Sequence, residues 1–270
     1  MIPFLFTLLV LFGGFTGFRL MQKKALHRRL LTSPLTEEQR RIVADQVPLT
    51  KQLPPQIAPK LEGKINLFLH QTEIIGCAGL EVTEPMRLSI AAQACLLIAN
   101  SDAWYKSLRT ILVYPGAFKS RQTSHDGFIV NETSEIRLGE SWAFGPVVLS
   151  WPHSAQGGLD EKDGQNLVLH EFAHQLDNLS GSTNAVPLLS KGQSFAEWER
   201  VMLDAFARHE DNVAKGRKTV IDAYGAENHQ EFFAVIIEAF FEKPAKLQAE
   251  EPDVYAQLSK LLHLDPVNWG

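Results

Sequence analysis

The segment Leu167–Asp177 contains the string His-Glu-x-x-His, whose residue types and spacing are typical of a zinc-dependent hydrolase. On a helix of 3.6 residues per turn, positions i and i+4 lie one above the other, so His170 and His174 can direct imidazole nitrogens at one metal ion. Glu171 lies about 100° further round the same turn, where it can accept a proton from a water but is badly placed as a ligand. The string therefore predicts two zinc ligands and a general base.

The two histidines also have a simpler interpretation. They can be ordinary residues at the edge of the core that pair with carboxylates and hold no metal. Leu169, Phe172, Ala173 and Leu176 follow the i, i+3, i+4, i+7 pattern of a buried face. Because ligand positions and core positions do not compete on this helix, the zinc site is the working hypothesis.

A second segment offers a third ligand, since a catalytic zinc site needs three protein ligands and an open fourth position. Tyr224–Phe241 is predicted to contain a buried helix with two carboxylates, and buried carboxylates need partners. Glu231 and Glu238 are seven residues apart and therefore project from one face. We assign Glu231 as the third ligand and Glu238 as the acceptor for a spare imidazole N–H, and the reverse order is also open.

Other polar residues near the motifs each have two interpretations. Tyr224 can stabilise an oxyanion through its phenol, or it can be a simple aromatic before a glycine. Asp177 can hydrogen-bond a ligand histidine, or it can begin the turn that ends the helix. Five further histidines are predicted to lie at the surface or in solvent: His125, His153, His209, His229 and His263.

A strand is predicted at Val147–Trp151, shortly before the metal helix and directly after Gly145 and Pro146. If it forms the edge of a sheet, an extended peptide can pair with it through main-chain hydrogen bonds. This strand is therefore the predicted substrate-binding edge. The alternative is a strand in the interior of the sheet, which an incoming peptide cannot reach.

Several sequence blocks resemble the Mlc titration factor A family of zinc metallopeptidases, which belongs with the zincins that use Glu as third ligand. The likeness extends over about residues 61–269. Besides the His-Glu-x-x-His helix, the matching blocks are Ile111–Pro115, Gly139–Trp142, Gly145–Trp151, Ile221–Tyr224 and Glu231–Val235.

The resemblance implies the site that the spacing favours. His170, His174 and Glu231 would bind one Zn²⁺ ion and Glu171 would be the catalytic base of a metallopeptidase acting on a peptide or protein, including an aminopeptidase-like one. Some family members carry a histidine, thought to approach the metal in an inactive state, where this chain has Val130. A self-inhibitory fourth histidine is therefore not expected here.

The resemblance also supports a function of a different class. The behaviour that gave the family its name is the sequestration of a transcriptional repressor. The chain can therefore instead be a recruiting module that binds a transcriptional regulator, with a structural or vestigial zinc site. A structural zinc normally has four protein ligands and needs no Glu beside the histidine. The presence of Glu171 in an open three-ligand arrangement favours catalysis.

Length and composition suit one catalytic domain with an N-terminal extension. The chain has 270 residues, of which 45% are hydrophobic and 21% charged, and its net charge is −5. No basic stripe is interleaved with aromatic residues, so direct nucleic-acid binding is not expected. Cys77 and Cys95 have no second cysteine or histidine at metal spacing, and both are predicted to be buried thiols.

The expected fold class is α+β, with a mainly helical zincin-like metallopeptidase domain around a small sheet. Thr36 and Gln39 predict a capping box at the start of a short charged helix, and residues 53–55 predict a linker. Apolar periodicity predicts helices over residues 59–76, 84–100, 195–209 and 230–241, and strands over residues 110–114 and 128–130.

The N-terminus predicts a membrane anchor. Residues 1–18 carry no charge and are just long enough to span a bilayer, and five Lys and Arg residues follow between positions 19 and 29. That order is the reverse of a secretory signal, and the positive-inside tendency keeps the following residues in the cytoplasm. We expect residues 1–20 to be a single-pass transmembrane helix in the inner (cytoplasmic) membrane, residues 21–60 a basic juxtamembrane segment with a short helix and linker, and residues 61–270 a cytoplasmic zinc metallopeptidase domain. The alternative is an amphipathic or core helix.

Overall fold

The structure of the chain is a computed structural model that describes residues 2–126, 129–137, 139–141, 145–181 and 185–269. Side chains are described for residues 16–117, 139, 145–181 and 185–269. Two predicted features, the Gly127–Phe128 step and Trp142, lie outside the described residues, as does the side chain of Val130.

Helices form most of the described chain. They are α1 Ile2–Thr32, α2 Glu37–Gln46, α3 Ala58–Gln71, α4 Glu84–Leu96, α5 Trp151–Leu159, α6 Leu167–Asp177, α7 Phe195–Ala214, α8 His229–Glu242, α9 Pro244–Glu250 and α10 Pro252–Leu262. Short 3₁₀ helices cover Pro48–Gln52, Asn178–Ser180, Ala223–Ala226 and Pro266–Asn268. The predicted capping box of Thr36 and Gln39 is present at the start of α2.

The strands form a small sheet and a separate hairpin. They are β1 Glu73–Gly76, β2 Thr110–Tyr114, β3 Phe118–Asp126, β4 Ile129–Arg137, β5 Gly139–Ser141 and β6 Val147–Ser150. The sheet has the order β1-β2-β6-β5, in which β1, β2 and β6 run parallel and β5 runs antiparallel to β6. Strands β3 and β4 pair antiparallel with each other.

Strand β6 lies inside the sheet, so the predicted substrate-binding edge is wrong. It pairs with β2 on one side, where Val113 lies opposite Leu149, and with β5 on the other. All four residues of β6 are buried, as the unbroken apolar run Val147–Leu149 requires of a strand covered on both faces. The strand ends at Ser150 because Pro152 can start helix α5 but cannot donate to the ladder. The strands at the two ends of the described sheet are β1 and β5.

The predicted helix over residues 59–76 is wrong in its last part. Helix α3 ends at Gln71, and Glu73–Gly76 forms strand β1 beside β2. Thr72, Ile74 and Ile75 are β-branched and favour an extended backbone, and pairing with β2 satisfies the backbone groups that a helix would otherwise bond internally.

One hydrophobic core joins these elements. Helix α4 lies almost entirely inside it, and the aromatic rings of Phe68, Tyr105 and Phe172 meet there with ring centroids 5.0 to 6.4 Å apart. The segment predicted as a linker also contributes, because Leu53 and Ile57 are buried in the same cluster. Cys95 is fully buried, whereas Cys77 is only partly so.

The predicted fold class is wrong in two respects. The chain is mainly helical around a small sheet, but three of the four strands in that sheet are parallel, whereas the α+β class implies an antiparallel sheet. In addition, among the residues that the structure describes, no helix combines the length and the apolar character needed to cross a membrane. This second finding overturns the predicted transmembrane helix at residues 1–20 and the inner-membrane location derived from it.

The physical reason lies in the sequence of α1. Its uncharged part, Ile2 to Phe18, extends about 26 Å at 1.5 Å per residue, which is the lower limit for a bilayer span. Three glycines and two threonines interrupt that part and lower its hydropathy. Further along, α1 packs against α3 so closely that a Cβ added to Gly63 would lie 1.9 Å from the Leu31 carbonyl oxygen.

Candidate metal centre

Helix α6 carries the His-Glu-x-x-His string and is fixed at its start by Asn166. The Asn166 side chain accepts a hydrogen bond from the Leu169 N–H at 2.9 Å and donates one to the Gly157 carbonyl at 2.7 Å. Val168, Leu169, Phe172 and Ala173 are fully buried, while the two histidines are only partly so. The helix therefore has the predicted division between a core face and a histidine face.

Helix α8 brings the carboxylates to the histidines. Asn228 caps this helix by accepting hydrogen bonds from the N–H groups of Gln230 and Glu231 at 2.9 and 3.0 Å. Glu231 therefore lies in the first turn, where the positive end of the helix dipole stabilises a negative charge. The apolar residues of α8, such as Phe233 and Ile237, pack into the core. Glu231 and Glu238 are left facing α6.

Three donor groups converge between the two helices. One ligand atom from each of His170, His174 and Glu231 lies within 4.8 Å of the other two. The Glu231 Oε2 atom is 2.9 Å from His170 Nε2 and 3.6 Å from His174 Nε2, and the imidazole centroids are 5.0 Å apart. Residues that are far apart in the sequence thus form one compact cluster.

Glu238 lies on the other side of His170. Its Oε1 atom is 2.9 Å from His170 Nδ1, and its Oε2 atom accepts a hydrogen bond from the Asn166 N–H. The ring nitrogen that points toward Glu231 is Nε2, so the bond to Glu238 holds the imidazole in that orientation. The sequence allowed either Glu231 or Glu238 as the third ligand. Glu231 is the one that lies beside both histidines.

The carboxylates shift the titration of the cluster. Burial opposes protonation of His170, but its hydrogen bonds with Glu231 and Glu238 outweigh burial and raise its pKa to about 10. Burial favours the neutral form of Glu231, but hydrogen bonds with His170 and His174 hold its pKa well below its usual range. Both pKa shifts favour an ionised Glu231 carboxylate that faces a positively charged group.

The cluster fits a zinc ion. Two imidazole nitrogens and one carboxylate oxygen form a donor set typical of catalytic zinc. Bonds of about 2.0 to 2.1 Å in a tetrahedron place ligand atoms roughly 3.3 Å apart. The distances from Glu231 Oε2 to the two histidines, 2.9 and 3.6 Å, lie on either side of that value.

The predicted base, Glu171, is buried beside the first residue of β5. A Cβ added to Gly139 would lie 2.2 Å from Glu171 Oε1 and 2.7 Å from Leu167 Cδ1. Any side chain at position 139 would occupy the space of the Glu171 carboxylate. Strand β5 and helix α6 are therefore in contact at this point.

Tyr224 stands at the mouth of the cluster. Its ring centroid is 5.9 Å from that of His170, and the residue is 47% exposed. It belongs to the 3₁₀ helix Ala223–Ala226, which begins with a hydrogen bond from the Tyr224 N–H to Asp222 Oδ1. Tyr224 therefore places an exposed aromatic ring beside the histidine cluster.

Comparison with known proteins agrees with this geometry. Residues 20–263 match the family model of the glucose-regulated metallo-peptidases M90. The chain belongs to this family. It is 42% identical over 243 residues to the uncharacterized protein slr2042 of Synechocystis sp. (strain ATCC 27184 / PCC 6803 / Kazusa), with 89% of this chain and 88% of that protein covered. It is 31% identical over 228 residues to Mlc titration factor A of Yersinia pestis (strain Pestoides F), with 82% of this chain and 83% of that protein covered.

Membership in the M90 family confirms the resemblance to Mlc titration factor A that the motif blocks indicated, and it makes the protein a metallopeptidase by family. The predicted divalent metal therefore has a matching donor cluster in the chain.

Asp177 follows the second of its two interpretations. Its Oδ2 atom accepts a hydrogen bond from the Ala185 N–H at 2.9 Å, so the carboxylate holds the loop after α6. Burial raises the pKa of Asp177, while the bond to Ala185 and the nearby His174 act in the opposite direction. This M90 chain thus uses Asp177 to fix the end of the motif helix.

The prediction of a solvated His209 is wrong. This residue is 2% exposed, and its Nε2 atom bonds to the carbonyl of Asp222, two residues before Tyr224, at 3.0 Å. Burial lowers the pKa of His209. His229 is exposed as predicted, with its ring 4.1 Å from that of Phe206, and His153 and His263 are also exposed; the side chain of His125 lies outside the described residues.

Sequence reasoning missed Asn166 and Glu242. Asn166 caps the motif helix of this M90 chain, and an Asn directly before an apolar periodic run is a usable N-cap signal. Glu242 is buried four residues after Glu238 and accepts a hydrogen bond from the Gly164 N–H at 2.9 Å. Burial, with a further contribution from nearby Asp163 and Glu238, raises the pKa of Glu242 to about 9.

Proposed function

We propose that this chain is a zinc peptidase in which His170, His174 and Glu231 bind the metal and Glu171 is the general base. The observation that carries the proposal is the convergence of two imidazoles and one carboxylate within 4.8 Å, next to an acid on the same helix. A structural zinc site would have no use for Glu171, and a site with three protein ligands leaves a position open for water.

The chemistry can be assigned to particular atoms. His170, His174 and Glu231 would hold the zinc ion, which would supply a bound water with a pKa of about 7 and a Lewis acid for the scissile carbonyl. Glu171 accepts the proton of the attacking water and later delivers it to the leaving amine. Glu238 accepts the Nδ1–H of His170, so that Nε2 stays directed at the metal. The Tyr224 phenol donates a hydrogen bond to the developing oxyanion.

The substrate is best placed along β5. This strand is one of the two end strands of the described sheet, and it touches the motif helix at Gly139, beside Glu171. A peptide that adds to β5 through main-chain hydrogen bonds would lay its backbone across the general base. This replaces the interior strand β6 as the substrate-binding edge.

The test is cleavage of a mixed peptide pool by the full chain loaded with zinc, with products identified by mass spectrometry. We expect the parent to cleave and Glu171→Gln to lose at least about a hundredfold in rate while it retains zinc, because general acid–base catalysis contributes that much or more. Glu199→Gln, the same substitution at an exposed site on α7, should behave as the parent. Full activity of Glu171→Gln would remove the assigned base.

The same pool can show the type of peptidase. Each peptide is supplied with a free and with an acetylated N-terminus. Cleavage of the free form alone would identify the aminopeptidase-like activity that we include in the proposal, whereas cleavage of both forms would identify an endopeptidase. Zinc content is measured on every variant, so loss of metal and loss of the base are separated.

The name of one relative favours a second function. Mlc titration factor A is named for titrating Mlc. We infer that this chain can also bind a transcriptional regulator, with or without cleaving it. Absence of cleavage by both the parent and Glu171→Gln, with zinc bound to both and a regulator retained equally by both, would favour a recruiting module over a peptidase.

A further inference from the structure

A pocket lies away from the metal centre, where α1 and α3 meet the loop that precedes β2. Its volume is about 530 Å³, within the range of small-molecule sites. Helix α1 contributes Lys23, Leu26 and residues one turn further along, α3 contributes Leu67 and His70, and the loop contributes Trp104, Lys106 and Arg109. The aromatic rings of Phe68 and Tyr105 separate this pocket from helix α6.

The lining of the pocket is cationic although the chain as a whole is acidic. Lys23, Lys106 and Arg109 are exposed at its rim, and none of the described lining residues is acidic. Over the part of the chain that the structure describes, neither lysine forms an ion pair, and Arg109 donates only to the neighbouring Leu108 carbonyl. In a protein of net charge −5, three cations left without carboxylates form a local site for an anion.

The floor of the pocket is apolar and aromatic. Leu26 is 41% exposed, and Trp104 is half-buried with its indole N–H donated to Gln71 Oε1 at 2.8 Å. The His27 ring meets the edge of the indole with centroids 6.2 Å apart, and Lys64 Nζ lies 5.9 Å from the ring centroid. These contacts fix the indole, so it offers a rigid surface to a ring or a hydrocarbon body.

We propose that this pocket binds a small phosphorylated molecule, with its phosphate held by Lys23, Lys106 and Arg109 and its apolar or ring part against Trp104 and Leu26. A guanidinium with two ammonium groups suits a dianionic phosphate. A pocket of about 530 Å³ with three cations is too small and too weakly charged for an extended nucleic acid, which needs a long basic surface.

The first test is a titration of the full chain with phenyl phosphate in the presence of a zinc chelator. Binding is monitored by ligand-observed NMR. The chelator prevents phosphate from binding at the metal centre. We expect a dissociation constant of about 1 mM or tighter, and weaker binding of inorganic phosphate, which lacks the ring. Absence of binding at about 10 mM, or equal affinity for inorganic phosphate, would contradict the proposed site.

Paired variants locate the bound molecule. Lys23→Ala/Arg109→Ala should weaken phenyl phosphate binding at least roughly fivefold, since each exposed cation contributes a modest share. Lys24→Ala/Arg217→Ala removes the same charge from exposed residues outside the pocket and should leave the affinity unchanged. All four residues are exposed, so the fold tolerates their loss. Equal weakening by the two pairs would overturn the proposal, as would binding to phosphatidylglycerol vesicles without any binding of phenyl phosphate.

Discussion

At the scale of single residues, Gly139 and Glu171 form a contact that leaves no space for another side chain. We predict that Gly139→Ala displaces the Glu171 carboxylate, because the new Cβ would lie 2.2 Å from Oε1. The rate of peptide cleavage should fall at least about tenfold while zinc stays bound, since Glu171 is not among the proposed ligands. Gly116→Ala, which places its Cβ in open space, is the matched control. Unchanged turnover by Gly139→Ala would show that the base has room to move.

Glu242 should make stability depend on pH. Its folded pKa is about 9, against an ordinary value of 4.5, so between these values the unfolded chain releases a proton that the folded chain keeps. Stability therefore falls as pH rises from about 4.5 towards 9.

We predict that Glu242→Gln is more stable than the parent by about 2 kcal/mol at pH 8 and nearly equal to it at pH 5, as measured by urea unfolding. The amide keeps an acceptor for the Gly164 N–H but carries no charge. Glu210→Gln, an exposed change on α7, should not alter the pH dependence. A gain that is the same at both pH values would rule out this titration as its source.

The residues of the cluster could be predicted because their spacing on a helix is itself the signal. His170, Glu171 and His174 follow from one string, and the seven-residue interval of Glu231 and Glu238 follows from helix periodicity. Glu242 and His209 could not be predicted in the same way, because burial depends on which segments pack over a residue. The roles proposed for Tyr224 and the three ligands stay predictions until the variants are measured.

At the scale of elements, the docking of α1 on α3 depends on Gly63. We predict that Gly63→Val moves α1 away from α3, because any Cβ at this position meets the Leu31 backbone, which cannot give way as a flexible side chain does. Trypsin should then cut faster at the basic residues of α1, and the cut sites can be read by mass spectrometry. Gly17→Ala, with nothing within 4 Å of its Cβ, should be cut as slowly as the parent. Equal rates for all three chains would show that α1 is not held at Gly63.

Helices and strands could be predicted where the apolar periodicity extends over many residues, and could not where it covers only a few. Helix α7 was predicted from residue 195, and α8 was predicted to within one residue at each end. Strand β1 has only four residues, and the helix predicted over residues 59–76 wrongly includes them. The uncharged run at the start of α1 predicts a membrane anchor, but no helix that the structure describes is long and apolar enough to cross a membrane. The later part of α1 instead packs against α3 at Leu31, a contact that the sequence does not reveal.

At the scale of the whole molecule, the metal should couple two helices that the chain brings together from distant segments. We predict that removal of zinc by a chelator lowers the melting temperature of the parent by about 5 to 10 °C, since a ligand at 100 times its dissociation constant stabilises by about 2.7 kcal/mol. Addition of zinc should restore it. In Glu231→Gln the chelator should have a much smaller effect. A melting temperature that chelation leaves unchanged in the parent would mean that the cluster binds no metal in the folded chain.

The separation of the ligands also has a consequence for biosynthesis. His170 and Glu231 are 61 residues apart, so the ribosome completes the histidine pair and the general base long before it adds the third ligand. A chain whose translation stops between these positions contains the whole His-Glu-x-x-His string but no complete metal centre. If the proposed ligands are right, peptidase activity arises only after helix α8 has been synthesised and has folded onto α6, so prematurely terminated chains cannot act as proteases in the cell that makes them.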